Sequence, residues 1–507
     1  MILKHSENPN FLEIVSCSQV EYKCLTTNYT KFVKGYQYRP TYIKKHWDGK
    51  LTFMRYKYIP FGSWSYLNYL CREFNMESNV LQVVEPTINK LDYSEFESYC
   101  LDLMKDSKYT PRDYQIQAAW KIIKYKKCMA QLATSAGKTL ITFLVFSYLV
   151  DRCGVKKILM VVPTVPLVRQ ACKDFEDYKA GKFSVCEIYA GQKDDSDKCI
   201  ITVGTFQSLC KKPKEYFDKY GCCMVDECHR MSAISESKII ELCDCQYKWG
   251  LSGTVPTNFK YADALQAVCL LGPLVVNIKA SDLQDLGFIS KCFIHRIILD
   301  YSHIKNKKQI QSMAETRKLI KTIEDTEMKA RASSKLYASE KNFIVELNSR
   351  LDYITDLVTS LKGNTLILVH HIAYLEKLEK NLKLATDAKV YTISGTTSYD
   401  NRDFVKDEIE NNQDCIMLAT FGTCSTGINI TNLNNLILAE SFKSQVIVLQ
   451  SIGRLLRKNA QKTIAMIYDI CDNIYRGCAI YKHASERKKL YDEQKFKYDE
   501  ITNKLKY

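Results

Sequence analysis

The chain has no continuous apolar run of the roughly 20 residues that a membrane-spanning helix needs; LITFLVFSYLV, residues 140 to 150, stops well short. Its start, MILKHSENPNFLEIV, lacks the basic head and apolar centre of a secretory leader, so the chain is expected to work in the cytoplasm where it is made. There is no C-x-x-C pair among the 21 scattered cysteines, which argues against a disulfide framework in a reducing compartment. No constellation of nuclease residues is present either, so strand cleavage is not expected.

One cysteine cluster, CCMVDECHR at residues 222 to 230, invites a zinc reading. Cys222 and Cys223 are adjacent, however, and neighbouring side chains on a strand point to opposite faces, so these ligands do not converge. The alternative is that these cysteines act as small buried hydrophobes.

What is present is positive charge. Lys and Arg exceed Asp and Glu by 15, and without a membrane signature this points to a polyanionic partner, nucleic acid being the simplest; a solvated basic face is the other reading. Hydrophobic content of 46% and charged content of 25% are those of a globular protein, and 507 residues predict two to four domains.

The texture changes along the chain. Residues 1–105 are rich in tyrosine, tryptophan and lysine, with a hairpin expected at KKHWDGKLTF around Asp48-Gly49 and an amphipathic helix at GSWSYLNYLCREF. Residues 106–295 alternate short aliphatic runs (KKILMVVPT, CIITVGTF, GCCMVDE) with helical stretches, the rhythm of a parallel α/β sheet. Residues 296–355 read as exposed charged helix joining two bodies. A second α/β rhythm over 356–507 has strands expected at NTLILVHH, AKVYTISG, DCIMLATF and NNLILAE, ending in a helical tail. Two α/β domains with a small α+β domain before them suggest a cleft between the α/β pair.

In MAQLATSAGKTLITFLVF an apolar run leads through the small residues Thr134, Ser135 and Ala136 to Gly137-Lys138-Thr139 and then a helical pattern. Small residues let backbone N–H groups wrap a β-phosphate, Lys138 supplies a point charge, the Thr139 hydroxyl can bind Mg²⁺, and the helix N-terminus adds its dipole. Leu132 stands where the usual pattern has its first glycine. About ninety residues on, Asp226 follows CMV at a strand end, where its carboxylate can hold the Mg²⁺ hydration shell while Glu227 polarises an attacking water. Cys228 and His229 then need no metal, and His229 is placed to couple the nucleotide site to neighbouring loops.

The order PRDYQ (111–115), ATSAGKT (133–139), PTVPLVRQ (163–170), VGTFQSL (203–209), DECH (226–229), LSGT (251–254), ATFGTCSTGINI (419–430) and QSIGRLLR (450–457) resembles the motif series of superfamily 2 helicases. Three longer stretches, 35–62, 211–229 and 443–470, are similar to the bacteriophage recombination and repair helicases of that superfamily. The resemblance implies two RecA-like domains binding Mg²⁺ and ATP. It implies adenine recognition by Arg112, Tyr114 and Gln115, coupling by Ser252 and Thr254, and a cleft lined by Gly427 and Asn429. Gln450, Arg454 and Arg457 would reach the γ-phosphate, where an arginine neutralises transition-state charge.

Pro163-Thr164, Gly204-Thr205 and Thr420 fall in candidate strand-gripping loops, whose hydroxyls and N–H groups hold backbone phosphates without reading bases. In the amino-terminal region Tyr42, Lys44, Lys45 and Trp47 are either a nucleic-acid surface or packed core. By resemblance the expected substrates are single-stranded and branched DNA and RNA-DNA hybrids, with recombination or single-strand-binding proteins as partners and a monomeric state. An RNA helicase, a duplex translocase that separates no strands, and a non-motor binding protein with a degenerate ATP site are the alternatives.

Overall fold

A computed structural model describes residues 1–8, 10–76, 91–230, 234–425, 430–442, 444–456 and 464–505. The chain divides into two compact units, Met1–Ile278 and Lys279–Tyr507.

The first unit opens with β1 (Ile2–His5), β2 (Phe11–Ser16), β3 (Thr30–Phe32), β4 (Lys50–Thr52) and β5 (Tyr58–Pro60). They form an antiparallel β1-β2-β5 sheet and a β3-β4 ribbon. The expected hairpin at Asp48-Gly49 does not form. Gly49 takes a left-handed φ of 83°, but the residues before it, Pro40–Ile43, are helical, and β4 pairs instead with the distant β3. Proline at the first helical position favours that helix, its missing N–H being one a helix start leaves unbonded anyway. The helix expected in GSWSYLNYLCREF spans Trp64–Glu73 and buries Tyr66, Leu67, Leu70 and Cys71.

These apolar side chains do not close a core of their own. Leu12, Ile59 and Leu67 pack together with Leu265 and Cys269 of the helix Ala262–Leu271. Gly62 permits the approach, since a Cβ there would stand 2.5 Å from the Val268 carbonyl oxygen. The amino-terminal region and the α/β body are therefore one unit.

That body is a seven-stranded sheet of β6 (Lys127–Leu132), β7 (Ile158–Val162), β8 (Val185–Ile188), β9 (Ile201–Thr205), β10 (Cys222–Asp226), β11 (Tyr247–Ser252) and β12 (Leu274–Ile278). The order is β12-β6-β11-β10-β7-β9-β8, every pairing parallel. Helices cover such a sheet on both faces, which is why its strands are nearly unbroken aliphatic runs. The helix Lys138–Asp151 is buried from Leu140 through Leu149, so LITFLVFSYLV is a core helix. No helix among the described residues is long and apolar enough to cross a membrane. Cys222 and Cys223 are buried in β10 as small apolar groups, and no group of potential metal ligands occurs among the described residues. One pair departs from the expected thiols: Cys186 and Cys199 form a disulfide across the β8 edge.

The second unit holds β13 (Lys291–Asp300), β14 (Thr365–Val369), β15 (Val390–Ile393), β16 (Ile416–Thr420), β17 (Asn435–Leu438), β18 (Ile464–Asn473) and β19 (Lys497–Lys504). Its sheet, in order β15-β16-β14-β17-β18-β13-β19, is also parallel throughout. β13 was expected to belong to the first α/β domain and the linker; its ten-residue register with β18 puts it in the second sheet. The stretch read as exposed linker helix is likewise part of this unit. Its helices Lys307–Thr322 and Thr326–Glu346 contribute Met313, Ile320, Leu336, Phe343 and Ile344 to the second core. Widely spaced apolar residues in a charged sequence are enough when only one helix face is covered. The C-terminal helix is Ala479–Glu493, and the chain continues past it into the edge strand β19.

A buried ion pair anchors this helical layer. Arg350, on the helix Asn348–Ser360, donates through Nε and Nη2 to the two oxygens of Asp472 on β18, at 2.7 and 2.9 Å, and through Nη1 to Tyr374 Oη at 2.7 Å. Tyr301 Oη donates to the same carboxylate at 2.6 Å, and neither Arg350 nor Asp472 is exposed. Arg350→Leu leaves Asp472 buried without its cation. We expect a loss of about 3–5 kcal/mol in the unfolding free energy of this unit, read from denaturant titration.

Candidate nucleotide site

The first sheet sends β6, β10, β11, β7 and β9 toward the same end, so the loops after Leu132, Asp226, Ser252, Val162 and Thr205 share one face of the body. Parallel α/β sheets carry their ligands outside the carboxyl ends of the strands.

In the loop between β6 and the helix beginning at Lys138, Ser135 and Gly137 take left-handed φ values of 71° and 78°. Gly137 has a second constraint: a Cβ would lie 2.2 Å from Gln115 Nε2. Gln115 is buried and donates to the Ala136 carbonyl at 3.0 Å, and Tyr114 Oη donates to the same oxygen at 3.0 Å. The Arg112 backbone N–H donates to Gln115 Oε1 at 2.9 Å, and Arg112 Nη1 lies 3.4 Å from Tyr114 Oη. The three residues expected at an adenine are thus also tied to the bend of the phosphate loop. Thr139 is the second residue of the following helix, whose first turn leaves N–H groups without helical acceptors.

Glu227 is the meeting point of three loops. Its left-handed φ of 54° turns the chain sharply as it leaves β10. One carboxylate oxygen lies 3.8 Å from Lys138 Nζ; the other accepts from Ser252 Oγ at 3.2 Å and lies 3.1 Å from His229 Nδ1. His229 Nδ1 is also 2.8 Å from Ser252 Oγ, which accepts from the Thr254 N–H at 3.2 Å. The residues read separately as phosphate loop, carboxylate pair and coupling element form one connected cluster.

The two carboxylates differ. Burial, then the adjacent Glu227 charge, push Asp226 above the usual carboxylate range. Burial also acts to raise Glu227, but Lys138 and the His229 and Ser252 contacts outweigh it and hold Glu227 low. A half-buried acid raised by desolvation and by its neighbour's charge fits a divalent cation, which would relieve that repulsion.

Gln131, which the sequence reading did not select, accepts the Val255 N–H at 3.0 Å and so ties the loop after Ser252 to the strand feeding the phosphate loop. The one signal for it is a polar residue in the apolar run CMAQL.

The candidate strand-gripping residues divide. Pro163 and Thr164 follow β7, and the Thr164 hydroxyl is buried without a hydrogen-bond partner. Gly204 and Thr205 end β9 as buried residues. A Cβ on Gly204 would meet the Leu209 side chain at 2.9 Å, and Thr205 Oγ1 donates to Ser208 Oγ at 3.2 Å, so packing and a local side-chain hydrogen bond account for both. In the amino-terminal region Lys44 and Lys45 are exposed, whereas Tyr42 and Trp47 are half-buried. Tyr42 packs edge-on against Tyr36 at 4.8 Å, and Trp47 Nε1 donates to the Lys50 carbonyl at 2.8 Å.

In the second unit, Thr420 ends β16 with its hydroxyl 2.6 Å from that of Thr423. Gln450 and Arg454 lie four residues apart, hence on one face of the helix Gln445–Leu455. Gly427, Asn429 and Arg457 lie outside the described residues. His371 Nδ1, just beyond β14, stands 2.7 Å from the buried Glu440 carboxylate, a pair with no sequence signal.

Gly137→Ala adds a Cβ where neither the backbone nor Gln115 allows one. We expect nucleotide affinity to fall about tenfold or more, from roughly 1–2 kcal/mol of strain, with the rest of the fold kept; titration with a fluorescent ATP analogue and circular dichroism check it.

Two family models match: the type III restriction enzyme res subunit over residues 108–257 and the helicase conserved C-terminal domain over residues 349–459. The chain is 29% identical over 512 aligned residues to the ATP-dependent DNA helicase uvsW of Enterobacteria phage T4, covering 96% of each chain. It is 21% identical to the DNA 3'-5' translocase XPB2 of Sulfurisphaera tokodaii, over 82% of this chain and 91% of that one. Its fold is similar to that of S. cerevisiae Dbp5 bound to RNA and ADP BeF3, with a TM-score of 0.52 at 15% identity, covering 82% of this chain and 96% of that one. With the res-subunit and helicase C-terminal models matching in turn, similarity to uvsW along nearly its whole length and two parallel seven-stranded sheets, the chain belongs to the superfamily 2 helicases and is a nucleic-acid-dependent ATPase.

Proposed function

We propose that the protein is an ATP-dependent DNA helicase or translocase that acts on branched DNA: forks, recombination junctions and RNA-DNA hybrids. The observation that carries the chemical part is the convergence of Lys138, Ser252 and His229 on Glu227. The DNA part is supported by the similarity to uvsW, whose name is that of a DNA helicase.

In this reading the phosphate-loop N–H groups and Lys138 hold the β- and γ-phosphates of ATP, and Glu227 orients the attacking water and accepts its proton. Mg²⁺, held by Asp226 and Thr139, would supply positive charge to the phosphate oxygens. As the resemblance to superfamily 2 helicases implies, Gln450, Arg454 and Arg457 reach the γ-phosphate, and the arginines carry the charge that neutralises the transition state. Because Ser252 bonds both Glu227 and the Thr254 N–H, a shift of Glu227 on hydrolysis reaches the loop after β11 directly; this is the proposed coupling step. The loops that carry Thr164 and Thr420 grip backbone phosphates through their N–H groups, and Lys44 and Lys45 add a contact outside the motor core.

Lys138→Ala should abolish ATP hydrolysis in a folded protein, and Glu227→Gln should retain ATP binding while turnover falls roughly 10²- to 10⁴-fold. Nucleotide titration and single-strand-stimulated phosphate release measure the two properties. Full activity in folded Lys138→Ala would remove this site from the mechanism.

The substrate class is tested on the whole chain, because removing the amino-terminal region would expose Leu265 and Cys269. The double variant Lys44→Glu/Lys45→Glu should keep single-strand-stimulated ATPase, bind forks and four-way junctions more weakly, and reduce the salt slope by about 2, one per lost phosphate contact. Strand separation on forks, junctions, RNA-DNA hybrids and RNA duplexes ranks the substrates. A preference for RNA duplexes would replace the DNA assignment.

A further inference from the structure

The opposite end of the first sheet, where the strands begin, carries a second polar cluster that ATP hydrolysis does not use. Lys127 opens β6, and Lys248 sits beside it in the β6-β11 register. Both ammonium groups converge on one neutral acceptor, Asn10 Oδ1, at 3.3 and 2.9 Å. Lys248 also donates to the Ile240 carbonyl at 2.8 Å, and Asn10 Nδ2 donates to Asp244 Oδ1 at 2.5 Å. Lys248 is 2% exposed and Lys127 8%. Two ammonium groups packed side by side repel strongly at low dielectric. Burial and then the Lys248 charge push Lys127 down to about 7.

Over Lys248 opens a cavity of about 500 Å³ between the amino-terminal region and the α/β body. Phe11, Phe53 and Pro60 give it an apolar wall from one side, Leu242 and Leu270 from the other. Arg55, Lys214, Lys238 and Lys248 line it against two carboxylates, Glu241 and Asp244. Those carboxylates already face Arg55 and Lys214, each at 3.4 Å. The walls therefore carry more positive than negative charge. The volume lies within the range of small-molecule sites, which join an apolar lining to a few polar groups. Nucleic acid held at the opposite strand ends would not enter it.

We propose that this cavity binds a small organic anion, a phosphate monoester with an aromatic or aliphatic body. Its phosphate lies toward Arg55, Lys238 and Lys248, and its body lies against Phe11 and Phe53. Because the walls come from both parts of the first unit, binding fastens the amino-terminal region to the sheet.

The test uses the full chain and phenyl phosphate as the probe, followed by calorimetric titration and by the shift in melting temperature. The expected result is saturable 1:1 binding that raises the melting temperature and survives Lys138→Ala, which silences the phosphate loop. Arg55→Ala/Lys238→Ala, two exposed positions outside the cores, should weaken binding about tenfold or more, the loss expected of charge-assisted contacts. Inorganic phosphate and phenol, the two halves of the probe, should bind about tenfold or more weakly than phenyl phosphate. No saturable binding, loss of binding in Lys138→Ala, equal affinity in the double variant, or a fragment that binds as tightly as the whole probe overturns the proposal.

Discussion

A parallel sheet buried on both faces has its polar chemistry confined to its ends. In the first unit β7, β9, β10 and β11 are buried along nearly their whole length, and their carboxyl ends deliver Thr164, Thr205, Asp226 and Ser252. The strands run the same way, so these groups come out together. The site follows from that constraint. Lys138 comes near Glu227 although β11 separates β6 from β10, and Ser252 at the end of β11 bonds Glu227 directly.

Glu227 concentrates the consequences. Its backbone is held in a conformation that a non-glycine residue rarely adopts, at a cost of order 1–3 kcal/mol. The surrounding contacts sustain it: the Lys138 ammonium, the Ser252 hydroxyl and the His229 ring. In the proposed mechanism, a ligand that draws Lys138 toward its own phosphates takes a counter-charge from Glu227, and Ser252 carries that change to the Thr254 N–H. The other end of the same sheet shows the converse, two lysines sharing one neutral acceptor where the amino-terminal region docks.

Much of the architecture was legible in advance because it rests on short-range pattern. Four of the strands in the second unit and three in the first coincide with aliphatic runs, and the phosphate loop and DECH fall at strand ends as expected. What was not legible depended on partners distant in sequence. IHRIILD reads as the end of one domain until its register with residues 464–473 is known. The charged helices of 307–346 look exposed because only one face of each is apolar, and the second core supplies the cover for that face. The Asp48-Gly49 turn signal was sound for Gly49, but Pro40 started a helix where the first strand of a hairpin was needed.

The sequence by itself determined the order of the motifs, the residue types of the nucleotide site and the α/β rhythm, because each follows from neighbours a few positions apart. Only the tertiary structure decided which of those residues meet. It brought Lys138 and Ser252 from two other loops onto Glu227, joined Tyr114 and Gln115 to the phosphate-loop carbonyl, buried Gly204 and Thr205 in packing, and fused the amino-terminal region to the first sheet through Asn10. The physical reason is the same in each case. A side chain's chemistry is set by the charges and surfaces around it in space, and those come from chain segments that no local pattern connects.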